Sequence, residues 1–143
     1  MPVVKSFKVQ VVKRLEADAT RLVTKAAVAY TNEVKRLMID SPRGGRTYSV
    51  SRVKKGRKTR GPGRVHKASA PGEPPAVNRG DLLRSIGFKI TTVGGRIIAD
   101  CGSRLKGIPF WLEYGTKRIA PRPAWRPALV VPKKILGQLP GVK

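Results

Sequence analysis

The stretch from Pro109 to Leu129 constrains the fold most, because it reads PFWLEYGTKRIAPRPAWRPAL and combines both tryptophans of the chain with four prolines. Aromatic side chains bury the largest area per residue, and each proline fixes φ and removes a backbone donor. Residues Ile108 to Tyr114 predict a short helical turn that stops at Gly115, where a left-handed C-cap is tolerated. The later prolines predict an extended run and a second turn from Ala124 to Val131. The aromatic residues expected to be largely buried in this anchor are Trp111, Tyr114 and Trp125.

Two blocks of the sequence carry a resemblance to a known family. Within the anchor, LEYGT is followed after a basic spacer by APRPAWRPAL, and an earlier block from Ala70 to Ile86 reads APGEPPAVNRGDLLRSI. In this order they resemble the "EfGT…ArPFlrPAL" signature, and the segment before it, of tailed-phage neck proteins, the head-to-tail joining or tail-completion proteins of lambda-like siphophages. The residues of this chain at the signature positions, whether or not they are identical to the family's usual residue, are Trp111, Glu113, Tyr114, Gly115, Thr116, Arg122, Pro123, Trp125, Arg126 and Pro127.

That resemblance implies a fold and a function, which we state as expectations. The fold would be α+β, with a long N-terminal helix and a second short helix packed on a twisted, mostly antiparallel sheet, and with a long basic arm. The function would be that of a structural ring subunit of a phage neck, which joins head and portal to tail around the DNA channel. The ring would have six subunits, or twelve if it lies nearer the portal. Its partners would be adjacent neck, portal-adaptor and tail-tube or terminator proteins, in a virion assembled in the host cytoplasm.

Charge narrows the choice of partners independently of the resemblance. The chain has 31 Lys and Arg against 8 Asp and Glu, a net charge of +23. Such a charge favours a polyanion or an acidic protein surface as partner. It also supports a rival hypothesis, a basic nucleic-acid-binding protein of ribosomal or nucleoid type. Against the rival, the aromatic residues cluster in the proline-rich anchor and are not interleaved with the basic residues, as a base-stacking surface requires.

One segment, from Arg43 to Lys67, concentrates positive charge without any acid. This segment has ten Lys or Arg, five glycines and no acid, so it cannot bury enough apolar surface to fold alone. Alternation predicts a strand from Thr47 to Val53 with its return from Arg64 to Ala68, as in a projecting arm or loose hairpin that carries His66. The alternative is a solvated charge run without function. Candidate contacts to DNA, without sequence specificity, or to a protein partner are Arg52, Lys54, Lys55, Arg57, Lys58, Arg60 and Arg64.

The N-terminal region predicts one long helix from Val4 to about Ile39, because apolar residues recur at spacings of three, four or seven. A helix of this length would need a bend, for which Thr20 is the candidate, or a neighbouring subunit that receives it. Its apolar stripe can therefore serve the core, subunit packing, or both along different turns. The chain as a whole is expected to be a single domain over 1–143, divided into the helix (1–40), the arm (43–69), the sheet and signature body (70–131) and a short helix and tail (132–143).

Between the arm and the anchor, the sequence predicts a short helix followed by a hairpin. Asp81 is well placed in the first turn of that helix, and a strand follows from Ser85 to Val93. The Gly94-Gly95 pair predicts a tight turn, with a return strand from Arg96 to Cys101. After the anchor, Pro132 fits the first position of the last helix.

The sequence shows no legible catalytic set. One cysteine and one histidine exclude an internal disulfide and the usual metal clusters, so no metal and no cofactor are expected, and we expect no enzyme activity. Cys101 fits small core filler better than a nucleophile, and Glu113 fits a salt bridge to Arg122 or Arg126 better than catalysis. No signal peptide and no run of 18 apolar residues is present, so we expect no membrane partner and folding in a reducing cytoplasm.

Overall fold

The computed structural model describes residues 3–50, 53–54, 57–58 and 64–137, with side-chain surroundings for residues 10–49 and 65–137. Within these residues the helices and strands make up an α+β fold, as the resemblance implied. In chain order they are α1 (Val3–Ile39), β1 (Thr47–Val50), β2 (Val53–Lys54), β3 (Arg57–Lys58), β4 (Arg64–Lys67), α2 (Asp81–Ser85), β5 (Ile86–Val93), β6 (Arg96–Ser103), α3 (Ile108–Tyr114), α4 (Trp125–Ala128) and α5 (Val130–Leu136).

Helix α1 runs for 37 residues without a break at Thr20. The Thr20 hydroxyl donates to the carbonyl of Glu16 at 2.7 Å, a back-bond that satisfies the hydroxyl inside the helix. The helix ends at Ile39, and the Ser41 hydroxyl then donates to the Pro74 carbonyl at 2.7 Å. At 1.5 Å per residue, α1 is about 55 Å long.

The strands form separate two-stranded antiparallel sheets among the described residues, where the sequence predicted one twisted sheet. Strand β5 pairs with β6 from Ile86 opposite Ser103 to Val93 opposite Arg96, across a turn in which Gly94 and Gly95 have φ of 56° and 76°. Positive φ at both positions is what a tight hairpin turn of this hand requires. Helix α1 packs on β5 and β6, and β1 pairs with β4 and does not extend that sheet.

The predicted arm begins and ends in an antiparallel pair. Strand β1 pairs with β4, from Thr47 opposite Lys67 to Val50 opposite Arg64, and β2 pairs with β3 farther along. The described part of the first strand, Thr47–Val50, lies within the predicted range; residues 51–52 of that prediction lie outside the described residues, and Val53 begins β2. At the base, His66 is 5% exposed and packs edge-on against Tyr48, with ring centroids 5.3 Å apart. The histidine is therefore buried at the arm's base, whereas the sequence placed it in a flexible segment.

The core is small and lies where the C-terminal half of α1 meets the start of β5 and the helix α4. Its buried members are Val34, Met38, Ile86, Ala124 and Ala128. Large apolar side chains remain exposed on several described elements, among them Val11, Leu15, Phe110, Trp111, Tyr114, Leu129 and Val130.

Two helix boundaries differ from the sequence predictions. The second turn divides at Leu129 into α4 and α5, and α5 starts at Val130, two residues before Pro132. Proline is tolerated within the first turn of a helix because its missing N–H has no intrahelical acceptor there. Pro132 therefore sits inside the first turn and does not open the helix.

Candidate functional site

Glu113 is the centre of the anchor, although it stands at the end of the short helix α3. Its side chain is buried, with the residue 5% exposed. Oε2 accepts hydrogen bonds from the backbone amides of Ala124 (2.9 Å) and Trp125 (3.0 Å), and Oε1 accepts from the Arg126 amide (3.0 Å). Helices begin with amides that have no intrahelical acceptor. The Glu113 carboxylate therefore caps the N-terminus of α4 from eleven or more residues upstream.

An ion pair completes the environment of this carboxylate. The Arg126 Nε donates to Oε1 at 3.1 Å, and its NH2 group donates to the Glu113 carbonyl at 3.3 Å. Burial alone would raise the pKa of the Glu113 carboxyl, but the three amides and the Arg126 guanidinium outweigh it and hold that pKa below its ordinary value. The predicted salt bridge is thus confirmed for Arg126, whereas Arg122 makes different contacts.

Gly115 ends α3, in a backbone conformation that differs from the predicted left-handed cap. Its amide donates to the Trp111 carbonyl at 2.9 Å, with φ 79° and ψ 178°. A Cβ at this position would lie 2.8 Å from the carbonyl oxygen of Ile119 and 3.0 Å from the nitrogen of Pro121. Positive φ with ψ near 180° is a region open essentially to glycine alone. Glycine is therefore required here on two grounds, backbone conformation and space.

The loop after Gly115 is closed by its own hydrogen bonds. The Thr116 amide donates to the Ile119 carbonyl at 2.7 Å. The Thr116 hydroxyl accepts from the amides of Arg118 (3.2 Å) and Ile119 (3.1 Å). The basic spacer of the signature is thus a tight turn that holds its own backbone, which leaves the cationic side chains of Lys117 and Arg118 exposed.

Arg122 joins the anchor to the base of the arm. Its amide donates to the Leu112 carbonyl at 2.6 Å, and its Nε donates to the Ser69 carbonyl at 3.2 Å. Beside it, the Gly72 amide donates to the Pro121 carbonyl at 2.9 Å. Pro123 follows, partly buried, immediately before the cap of α4, and Pro127 is exposed within α4.

Trp125 joins the anchor to α1 and is partly buried, so one of the three predicted aromatic contacts with the body is present. Its ring lies 6.1 Å from the Tyr30 ring, and its carbonyl accepts a hydrogen bond from the Tyr30 hydroxyl at 3.0 Å. Burial, with smaller contributions from Cys101 and Glu113, raises the pKa of Tyr30 to about 12. Tyr30 therefore stays protonated and able to donate throughout the physiological range.

The prediction that the other two aromatic residues are largely buried is wrong. Trp111 is 49% exposed and Tyr114 58%, and the neighbouring Phe110 is 62% exposed. The reason is that α3 has only seven residues and turns the Glu113 side toward the body, which leaves the aromatic side facing outward. The Phe110 and Tyr114 rings are 4.8 Å apart, and the Arg126 guanidinium carbon lies 5.2 Å from the Tyr114 ring centroid. We call Phe110, Trp111, Tyr114 and Arg126 the aromatic platform.

The candidate contact residues of the arm are described only in part. The backbones of Lys54, Arg57, Lys58 and Arg64 lie in strands β2, β3 and β4, and Arg52, Lys55 and Arg60 lie outside the described residues. The base of the arm is held by Glu73, whose Oε2 accepts from the amides of Gly44 (2.9 Å) and Ala70 (2.7 Å). These hydrogen bonds hold the pKa of the Glu73 carboxyl below its ordinary value. That Glu73 holds the base of the arm was not predicted, because a glutamate between prolines carries no local signal for such hydrogen bonds.

A cleft of about 570 Å³ lies between the base of the arm, α2 and α3, lined by residues such as Met38, His66, Leu82, Leu112 and Arg122. It gathers no group of three or more potential metal ligands, and none is found elsewhere among the described residues. Cys101 is partly buried in β6, and burial, with a smaller contribution from Asp100, raises the pKa of its thiol. A raised pKa lowers the thiolate fraction and hence the nucleophilicity of the group.

Comparison of the chain with protein-family models, with curated proteins and with solved structures gave no match. In the part of the chain that the structure describes, no helix combines the length and apolarity needed to cross a bilayer.

Proposed function

We propose that this chain is a structural ring subunit of a bacteriophage neck, which joins head and portal to tail and surrounds the DNA channel. The observation that carries the proposal is that the two blocks resembling neck proteins make one structural unit. Ile86 of the first block shares the core with Ala124 and Ala128 of the second, and the Gly72 amide bonds the Pro121 carbonyl. The signature residues thus hold backbone together around Glu113, as a scaffold does, and no catalytic step is required of them.

In this proposal the chain works by geometry and charge. Contacts between unlike surfaces of neighbouring copies close the ring, in a virion neck that is assembled in the host cytoplasm. The large exposed apolar side chains supply the surfaces that neighbours cover. The basic arm reaches an adjoining neck, portal-adaptor or tail protein, or the phosphates of the packaged DNA.

A specific observation favours one rival, a basic nucleic-acid-binding protein. The sequence counted against it because the aromatic residues cluster in the proline-rich anchor and are not interleaved with the basic residues. In the fold, however, the exposed Tyr114 ring lies beside Arg126, and Phe110 and Trp111 are exposed on the same helix. Exposed aromatic rings next to arginine can stack on unpaired bases. The two functions differ in what the loss of the chain does to a virus particle.

The test is deletion of the gene in the phage or prophage genome that encodes it, followed by electron microscopy of the particles. A neck subunit predicts DNA-filled heads and separate tails, with joining restored by the wild-type chain in trans. Particles with joined, functional tails in the deletion strain would contradict the proposal. If tails were joined but genome replication or expression failed, the nucleic-acid-binding rival would be favoured.

A variant of the arm tests how the ring would use its charge. Replacing Lys54, Lys55, Arg57, Lys58 and Arg60 together with serine should leave the circular dichroism of the body unchanged, because such side chains are not core residues. It should weaken complementation of the deletion and lower DNA affinity more at low than at high salt. Full complementation by the folded variant would show that the arm is a solvated charge run.

A further inference from the structure

The N-terminal end of α1 carries apolar side chains that the described body does not cover. Every residue from 10 to 19 is exposed, including Val11 at 39%, Val12 at 52% and Leu15 at 63%. Val11 and Leu15 are four residues apart and so lie on the same side of the helix. The first buried residue of α1 beyond this stretch is Ala26. We call residues 10–19 the helix end, and its apolar side is available to another molecule.

The aromatic platform is a second uncovered surface, at a different place in the chain. Within one chain α1 packs against β5, β6, α4 and α5, whereas the platform projects from α3. Exposed Trp and Tyr beside Arg is the composition that dominates the binding energy of protein interfaces. The platform is thus suited to receive a narrow apolar ridge, such as one face of a helix.

Charge decides which helix can dock there. A chain with a net charge of +23 repels its copies unless the touching surfaces are neutral or opposite in sign. Five acids are already engaged within the fold, namely Glu33, Asp40, Glu73, Asp81 and Glu113. In the helix end, by contrast, Asp18 approaches Arg21 only at 3.9 Å, with both side chains largely exposed, and Glu16 has no ion-pair partner among the described side chains.

The charges within the helix end balance, unlike those of the chain as a whole. Residues 10–19 hold Lys13 and Arg14 against Glu16 and Asp18, so their net charge is zero. The platform carries Arg126, and the adjoining turn carries exposed Lys117 and Arg118. An apolar ridge with exposed carboxylates complements an aromatic surface with exposed cations.

We propose that the helix end of one copy docks on the aromatic platform of the next copy. The inference rests on the proposed ring function and identifies one contact by which the ring closes. Because the two surfaces differ, the contact is head-to-tail, and repetition gives a closed ring or an open filament. About ten helical residues bury less than the roughly 800 Å² per partner of a standard stable interface. Each contact is therefore weak alone, and the closed ring is stabilised because every copy makes two of them.

The experiment uses one variant for each surface and mixes them. Leu15→Asp disables the helix end and keeps the platform, and Phe110→Asp disables the platform and keeps the helix end. Two control variants introduce the same change of charge. Gln10→Asp is the control for the helix end, because residue 10 lies about 140° around the helix from Leu15. Ile98→Asp is the control for the platform, because Ile98 is exposed on β6. Circular dichroism verifies folding, and sedimentation velocity over a range of concentrations measures assembly.

The two controls should assemble like the wild type, and each surface variant alone should remain monomeric. An equimolar mixture of the two surface variants has one intact contact per pair, so it should form pairs of about 31 kDa, twice the 15.6 kDa of one chain, and nothing larger. If Phe110→Asp fails to fold, Trp111→Ala takes its place, since it removes the platform's largest ring without introducing a charge.

Several results would overturn the docking. One is that a folded surface variant forms rings of wild-type size, which would leave the ring function intact and remove only this contact. Another is that Leu15→Asp is monomeric while both platform variants assemble, which would indicate α1 packing on α1. A third is that a platform variant assembles normally but loses affinity for single-stranded DNA, which would make the platform a base-stacking surface. A wild-type chain that stays monomeric would contradict both the docking and the ring.

Discussion

Replacing Glu113 with glutamine tests the central interaction of the anchor. The wild-type carboxylate accepts three backbone amides and the Arg126 Nε from a buried position. Glutamine keeps one acceptor oxygen but directs an NH₂ group at donors, so at least one buried amide loses its partner. Each buried donor without a partner costs about 1–3 kcal/mol. The Arg126 side chain is 57% exposed, so the loss of the ion pair itself adds little to the cost in stability. We expect Glu113→Gln to lower the free energy of unfolding by about 2–4 kcal/mol.

The assay is urea unfolding followed by circular dichroism at neutral pH, with thermal melting as a second measurement. At about 3–5 °C per kcal/mol for a domain of this size, the melting temperature should fall by roughly 6–20 °C. Glu33→Gln is the matched control, because Glu33 makes an ion pair with Arg36 at 2.6 Å on the surface of α1. That change should cost less than about 1 kcal/mol. Equal unfolding midpoints for the two variants would refute the capping role of Glu113.

Three further predictions concern the same anchor. Gly115→Ala should lower the free energy of unfolding by about 1–3 kcal/mol, because alanine disfavours this backbone conformation and its Cβ would meet the Ile119 carbonyl. Gly87→Ala should have little effect, because no heavy atom lies within 4 Å of the added Cβ. Equal urea midpoints for the two variants would contradict this prediction. The pKa of Glu113 is lowered in the folded chain, so its stabilisation is complete above the unfolded value near 4.3 and disappears as pH falls through the folded value. The urea midpoints of wild type and Glu113→Gln should therefore begin to converge once the pH falls below about 4.3 and goes on falling through the lowered folded value, and a constant difference would count against the shift. Finally, Trp125→Ala should lower the free energy of unfolding by about 2–4 kcal/mol, because Trp125 packs on the core and on Tyr30. Phe110→Ala should change it by less than about 0.5 kcal/mol. If thermal melting showed Phe110→Ala to be the more destabilising change, the assignment of core and platform would be reversed.

Local signals in the sequence predicted most of the secondary structure. The helix α3 from Ile108 to Tyr114, the hairpin turn at Gly94-Gly95 and the acidic start of α2 at Asp81 are each set by residues close in sequence. Glycine, proline and helical periodicity act over a few residues, so their effects can be read without knowledge of the tertiary fold. The α+β class followed from the resemblance and is confirmed by the order of elements.

What the sequence could not predict depends on tertiary arrangement. Tryptophan and tyrosine in a proline-rich segment predicted burial, yet Trp111 and Tyr114 face outward because the opposite side of α3 is occupied by Glu113 and its amides. Glu73 and Glu113 both act as acceptors for distant backbone, and their positions in sequence do not reveal which amides lack a partner. The uncovered helix end was anticipated only as an alternative, since periodicity identifies an apolar stripe but not what covers it.

These exposed surfaces change how the anchor is understood. The anchor has two sides, one that fixes the backbone through Glu113 and one that presents aromatic rings beside Arg126. The first side explains how the signature residues hold one another in place, and in the proposed ring the second would bind a neighbouring subunit. A small core with large exposed apolar residues is expected of a chain whose stable state is an assembly.

Electron microscopy of the purified chain, combined with its native mass, tests the proposed ring most directly. We predict closed rings with a central channel, and a mass of about 94 kDa for six copies or about 187 kDa for twelve copies of the 15.6 kDa chain. The channel should be wide enough to admit a DNA duplex. A folded chain that remains a 15.6 kDa monomer at all accessible protein concentrations, and binds nucleic acid in that state, would contradict the account.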